Sequence, residues 1–220
     1  EIDSTIVSAI QCQNMGLAYL EESQSLKAVA QFENLIGLLP NEAIGYANLA
    51  VAHLRLRQVD TAEKVIRRGI STVPLNSQLH SIYSEIHHFQ GKSDQAITEL
   101  KEALRLKPDD LAVRYLLIRE NLRDRRNNEA ISRAITDLRF LRKLTPTNIV
   151  VLLKLSQALL LNHDDIEQVE QIGKELRILL SDIDLEKLKY LDEGMKQVEA
   201  GDMKAANRNF RIFENINKNS

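Results

Sequence analysis

The stretch from Ala43 to Asn76, AIGYANLAVAHLRLRQVDTAEKVIRRGISTVPLN, decides the fold. Its apolar and small residues recur at helical spacing, first at Tyr46, Leu49 and Ala50, then at Ala62 and Ile66. Pro74 closes the second run, because proline lacks an N–H and its ring clashes with the preceding turn. The chain has four prolines, and each ends such a pattern: Pro40, Pro74 and Pro108 are 34 residues apart, and Pro146 follows after 38. Helices that end in phase at this period predict a solenoid of helical hairpins.

With each proline at position 32 of a unit, the units run 9–42, 43–76, 77–110, 111–148, 149–186 and 187–220. Small residues recur at positions 8 and 20: Gly16 and Ala28, Ala50 and Ala62, Ser84 and Ala96. Two antiparallel helices approach closely only where such residues meet, and larger ones at positions 4, 7, 11 and 24 fill the space around them. Each hairpin alone leaves apolar surface uncovered, so stacking follows. Val59-Asp60-Thr61 and Gly91-Lys92-Ser93-Asp94 are expected to place a capping oxygen ahead of the second helices. The fourth unit carries four extra residues near Arg123 to Ser132, for which a tolerated insertion at the turn is the bland alternative. We read it as one more helical turn, with the second helix starting after Asn127-Asn128 and either Ala130 or Ala134 at the small position. The fifth unit is degenerate and lacks a terminal proline. The sixth keeps Tyr190, Gly194, Ala206, Phe210 and Phe213.

These residues, with Tyr19 at position 11 and Phe32 at 24, resemble the tetratricopeptide repeat. The resemblance is clear over residues 9–110 and fair over 187–218. It implies an all-α, right-handed α-α superhelix of about six antiparallel hairpins, continuous over residues 1–220. It also implies a concave groove lined by first helices at positions 2, 5, 6, 9, 12 and 13. Carried onto this chain, those positions include Asn14, Asn48, Val51, Arg55, Tyr115, Arg119, Arg123 and Lys154. Asn14 and Asn48 share one groove position, where an amide offers a donor and an acceptor to an extended main chain. The bland alternative is that both amides only solvate a helix or link neighbouring hairpins. Arg119, Arg123 and Lys154 beside Tyr115 would form a basic flank. Residues 111–150 hold nine Arg and Lys against four Asp and Glu, while residues 161–202 hold twelve acidic against five basic. Such a flank suits an acidic segment, and ordinary solvated ion pairs explain it as well. The family's clamp for the acidic tail of heat-shock chaperones needs Lys, Asn, Asn, Lys and Arg at set positions. Here those are Gln13, Leu17, Asn48, Gln78 and Ile82, so that role is disfavoured.

A formal charge of −2 and the lack of a continuous basic groove argue against nucleic acid. No apolar run approaches the ~20 residues of a membrane span. The single Cys12 fits a reducing, cytoplasmic compartment and any other that protects a buried thiol, so the compartment is open. His53, His80 and His87 fall on packing positions and no ligand set completes a metal site. Nucleophile elbows, phosphate loops and paired carboxylates are missing, so neither an enzyme nor a cofactor is expected. Ile212 and Ile216 are expected on an uncovered face of the last helix, available to a continuing chain, a partner or a second copy. The start at Glu1 without methionine points to a segment of a longer chain. The reading is a protein-interaction scaffold that takes a peptide or partner protein in its groove. The alternative is a helper region of a larger enzyme or receptor whose chemistry lies elsewhere.

Overall fold

The structure, a computed structural model, describes residues 4–163, 165–180 and 185–218. Among them are twelve α-helices and no strand. They gather into two compact units, Glu1–Glu120 and Asn121–Ser220.

The first unit contains α1 (Ser4–Glu21), α2 (Ser25–Leu38), α3 (Ala43–Arg55), α4 (Val59–Thr72), α5 (Ser77–Phe89), α6 (Ser93–Leu106) and α7 (Leu111–Asn121, whose last residue opens the second unit). Helices α1 and α2, α3 and α4, and α5 and α6 pair as hairpins, and each hairpin packs on the next through α2 with α3 and α4 with α5. Ala28, Ala62 and Ala96 are fully buried, as are Phe32, Ile66 and Leu100 four residues later. The fit is matched within each hairpin. Gly16 faces Phe32, and a Cβ added at Gly16 would collide with the ring. Where position 8 is Ala50 or Ser84, position 24 shrinks to Ile66 or Leu100. Gly194 and Phe210 repeat the first pairing, with a Cβ falling 2.5 Å from the ring.

The turns inside the hairpins differ from expectation. Neither α4 nor α6 has a side-chain cap; their preceding residues are Gln58 and Lys92. The backbone does the work instead. The Gln58 N–H donates to the His53 carbonyl at 2.9 Å and the Lys92 N–H to that of His87 at 2.9 Å, each across a left-handed residue, Arg57 (φ 60°) or Gly91 (φ 75°). This is the helix-ending geometry that glycine favours. Ser23, His163 and Gly201 take the same conformation at the same position of their units. Side-chain caps appear where one hairpin gives way to the next, Asn76, Asp110 and Asn148 accepting from Leu79, Val113 and Val151 N–H, and inside the later hairpins, where Asn127, Asp165 and Asp202 accept from Ala130, Gln168 and Ala205 N–H.

Position 4 adds a link between hairpins. The Tyr46 hydroxyl donates to the Pro40 carbonyl at 2.9 Å, His80 Nε2 lies 3.2 Å from that of Pro74, and Arg114 donates to that of Pro108 at 3.0 Å. The proline that stops a helix leaves a carbonyl that the next helix then engages.

The second unit contains α8 (Asn128–Leu144), α9 (Ile149–Asn162), α10 (Ile166–Leu179), α11 (Leu185–Glu199) and α12 (Met203–Lys218). Helix α8 has 17 residues against 14 in α4 and α6, starts after the Asn127 cap, and buries both Ala130 and Ala134. The insertion is thus shared between a longer helix and a longer turn, residues 122–127 against 56–58 and 90–92 in the earlier hairpins. Helix α12 packs on α11 and also on α9. Ile212 and Ile216 on this helix are half-buried.

Two outcomes follow from these contacts. Gly16→Ala should cost about 1–3 kcal/mol through overpacking, and Phe32→Leu in the same chain should return much of it; urea midpoints of the three proteins measure both. Asp110→Ala should cost about 1 kcal/mol near neutral pH. The backbone N–H of Val113 holds the Asp110 carboxyl below its ordinary pKa. Its contribution is therefore complete above the unfolded pKa and is lost as pH falls through the folded one, so the two proteins should converge well below about pH 4.

Candidate functional site

In the first unit the family's groove positions carry apolar side chains that remain in water. Ile10 is 51% exposed, Leu17 39% and Phe89 52%, and Val51, Leu54 and Ile82 are half-buried beside them in sequence register. Asn14 is exposed. Asn48 is not: its amide nitrogen is buried and makes no hydrogen bond among the described residues. A buried donor without an acceptor is costly, on the order of 1–3 kcal/mol. Arg55 has a structural attachment, donating from Nη1 to the Leu20 carbonyl at 2.5 Å, where α1 ends. A cation there also meets the negative end of the helix dipole.

Arg119 is held by two carboxylates of its own unit. Nη2 donates to Glu85 at 2.7 Å and Nε to Glu120 at 3.3 Å. Glu120, 3% exposed, also meets His88 Nδ1 at 2.5 Å. The guanidinium is thus already matched by acid. Glu85 falls at groove position 9 of the third unit, whereas Glu120, at position 10 of the fourth, lies outside the groove set. One signal was present: Glu85 and Arg119 are 34 residues apart, so they hold the same repeat position with opposite charge. Tyr115 is half-buried and belongs to the same unit.

Between α4 and α5, Glu63 accepts from Gln90 at 2.6 Å and from the Tyr83 hydroxyl at 3.4 Å. The Gln90 bond keeps the Glu63 carboxyl below its usual range, while burial and then the Glu63 charge push the Tyr83 phenol up. His87 stacks against Tyr83 with centroids 4.2 Å apart, and His53 Nδ1 lies 2.7 Å from Gln58. These histidines are parts of the packing. No group of three or more His, Cys, Asp or Glu among the described residues is arranged to hold a metal ion.

Lys154 and Arg123 lie in the second unit, and Arg123 is exposed. Lys154 stands at a groove position on α9, and there α12 covers the helix. Its ammonium sits 2.9 Å from Oε1 and 3.0 Å from Oε2 of Glu214, whose side chain is 6% exposed. Gln157, another groove position, donates to Glu214 at 3.1 Å, and its carbonyl accepts from Asn207 at 3.2 Å. Leu153 and Leu160 are 2% exposed. The face of α9 that the resemblance assigns to a ligand is therefore occupied by α12 of the same unit.

Removing Lys154 leaves a nearly buried carboxylate short of its cation. Lys154→Ala should cost about 3 kcal/mol, and Lys154→Met with Glu214→Leu should recover most of it. A loss below about 0.5 kcal/mol for the single change in thermal or urea unfolding would mean that Glu214 is well hydrated instead.

Family models described as tetratricopeptide repeat match residues 14–76 and residues 78–110. A curated protein of Saccharomyces cerevisiae, small glutamine-rich tetratricopeptide repeat-containing protein 2, is 32% identical over 83 residues, 38% of this chain. The match spans only 24% of that relative's length. Among solved structures, Pseudomonas aeruginosa pilF is similar over 99% of this chain and 96% of its own, with a TM-score of 0.72 and 16% identity. The MamA protein is similar over 80% of this chain and 93% of its own, with a TM-score of 0.63 and 12% identity. At such identities the likeness concerns the fold, an all-α solenoid of helical hairpins.

Proposed function

Residues 14–76 and 78–110 match the tetratricopeptide-repeat family, and on that premise we propose that the first unit binds an extended peptide segment along the first-helix face of α1, α3 and α5. Repeats of this kind serve as protein-interaction scaffolds, and no helix among the described residues is long and apolar enough to cross a membrane. The observation that carries the finer reading is Asn48. Its amide N–H lies buried and unanswered at a groove position, flanked along the register by Val51 and Leu54. The side chain as a whole is half-buried, so a turn of its amide toward the groove would present that N–H to a peptide carbonyl, and apolar side chains of the same peptide would cover Ile10, Leu17 and Phe89. The Glu85–Arg119–Glu120–His88 network favours an occupant that brings main-chain polarity and apolar side chains over one that brings net acid.

The proposal makes stability and binding move apart. Asn48→Ala removes a buried donor that satisfies nothing in the free protein, so its thermal midpoint should stay level or rise slightly. Peptides selected from a displayed library against the full chain should bind this variant roughly three- to tenfold more weakly. Val51→Glu should abolish the same binding. Selected peptides indifferent to both substitutions would place the contact elsewhere.

A further inference from the structure

The second unit has a cleft of about 780 Å³ at the far end of α9, where Leu160 and Leu161, the last two groove positions of that helix, meet α12. Three segments build it: the lengthened turn of the fourth repeat, the end of α9, and the first turns of α12. Its rim is cationic. Arg125 comes from the turn, and Lys204, Arg208 and Arg211 follow one face of α12 at helical spacing. His163 adds a fifth basic group from the end of α9.

None of these four cations has a carboxylate partner among the described residues. That sets them apart from Arg119, Arg139, Arg142 and Lys154, each of which is paired. Arg125 and Arg211 even oppose one another: burial and then the Arg211 charge lower the Arg125 guanidinium from its usual value. Like charges held together without a counter-ion raise the free energy of the empty site, and an anion relieves it. Asp202 is the acid in the cleft, and its carboxylate already caps α12 by accepting from the Ala205 N–H at 3.0 Å.

The floor has a different character. Leu161 and Met203, both half-buried, line it over the buried Leu160. A free phosphate would use the rim and ignore the floor. A peptide that alternates carboxylates with apolar side chains uses both. We infer that this cleft is a docking site for an acidic, leucine-containing peptide segment, with carboxylates on Arg125, Arg208 and Arg211 and an apolar side chain against Leu161 and Met203. It shares no residue with the proposed groove and stands whether or not that reading holds.

The full chain should be titrated against a fluorescein-labelled Glu-Asp-Leu-Glu-Leu-Asp peptide, its Gln-Asn-Leu-Gln-Leu-Asn counterpart, and inorganic phosphate. Binding of the acidic peptide should weaken steeply with salt and fall at least about tenfold in Arg125→Glu and in Arg211→Glu. It should be unchanged in Asn48→Ala, which keeps this site apart from the groove. Because Arg125 and Arg211 repel, Arg211→Gln should fold with an undiminished thermal midpoint while binding more weakly, so lost binding is not mistaken for lost structure. Met203→Glu should weaken the acidic peptide and spare any phosphate binding. Equal affinity for the Gln-Asn peptide, no binding near 1 mM, binding indifferent to both charge reversals, or phosphate binding without peptide binding would each overturn the assignment. So would self-association that Arg125→Glu abolishes while the peptide fails to bind.

Discussion

Everything in the hairpins depends on a point of contact where one helix gives up bulk so that the other can insert a ring or branched chain. At Gly16 the missing methyl is occupied by Phe32, and Gly194 stands in the same relation to Phe210. Ala50 and Ser84 leave less room, and the residues opposite are smaller. Interiors pack at crystal-like density, so these pairs have one good solution each. The interhelix distance set there fixes where positions 2, 5, 6 and 9 emerge from the first helices.

Part of this architecture was legible because sterics write directly into residue type. Pro40, Pro74, Pro108 and Pro146 stop helices whatever surrounds them, and Ala28, Ala62 and Ala96 are small for one reason. Helices α3, α5, α7 and α9 start at the residues that the proline phase predicts. The turns were harder. Ser23, Arg57 and His163 adopt a left-handed backbone that nothing in their side chains advertises, and Asp60 and Ser93 look like caps without acting as such. A tight backbone-bonded turn had already met the need for which a capping oxygen was expected.

Charge was legible in kind but not in pairing. Arg119 and Lys154 read as cations facing a ligand, yet each is matched by acid from a helix distant in sequence. Repeat arithmetic would have found Glu85, since equal positions in successive hairpins lie side by side. It would not have found Glu214, because α12 packs on α9 in addition to its own partner α11. The composition of α9 held a hint. Ile149-Val150-Val151-Leu152-Leu153 and Leu159-Leu160-Leu161 leave that helix apolar on nearly every side, as in helices covered all round.

The bond from position 4 to the preceding proline carbonyl is made by a phenol, an imidazole and a guanidinium in turn. Three unrelated chemistries serve one joint, so the joint tolerates a change of neighbour, whereas the ring seated in its glycine notch travels with its own hairpin. A lineage of such chains is therefore free to gain or lose a whole period without rebuilding the interior. The ion pairs that cross from one hairpin to the next are what such an event would scramble, and with them the pattern of charge that a partner reads.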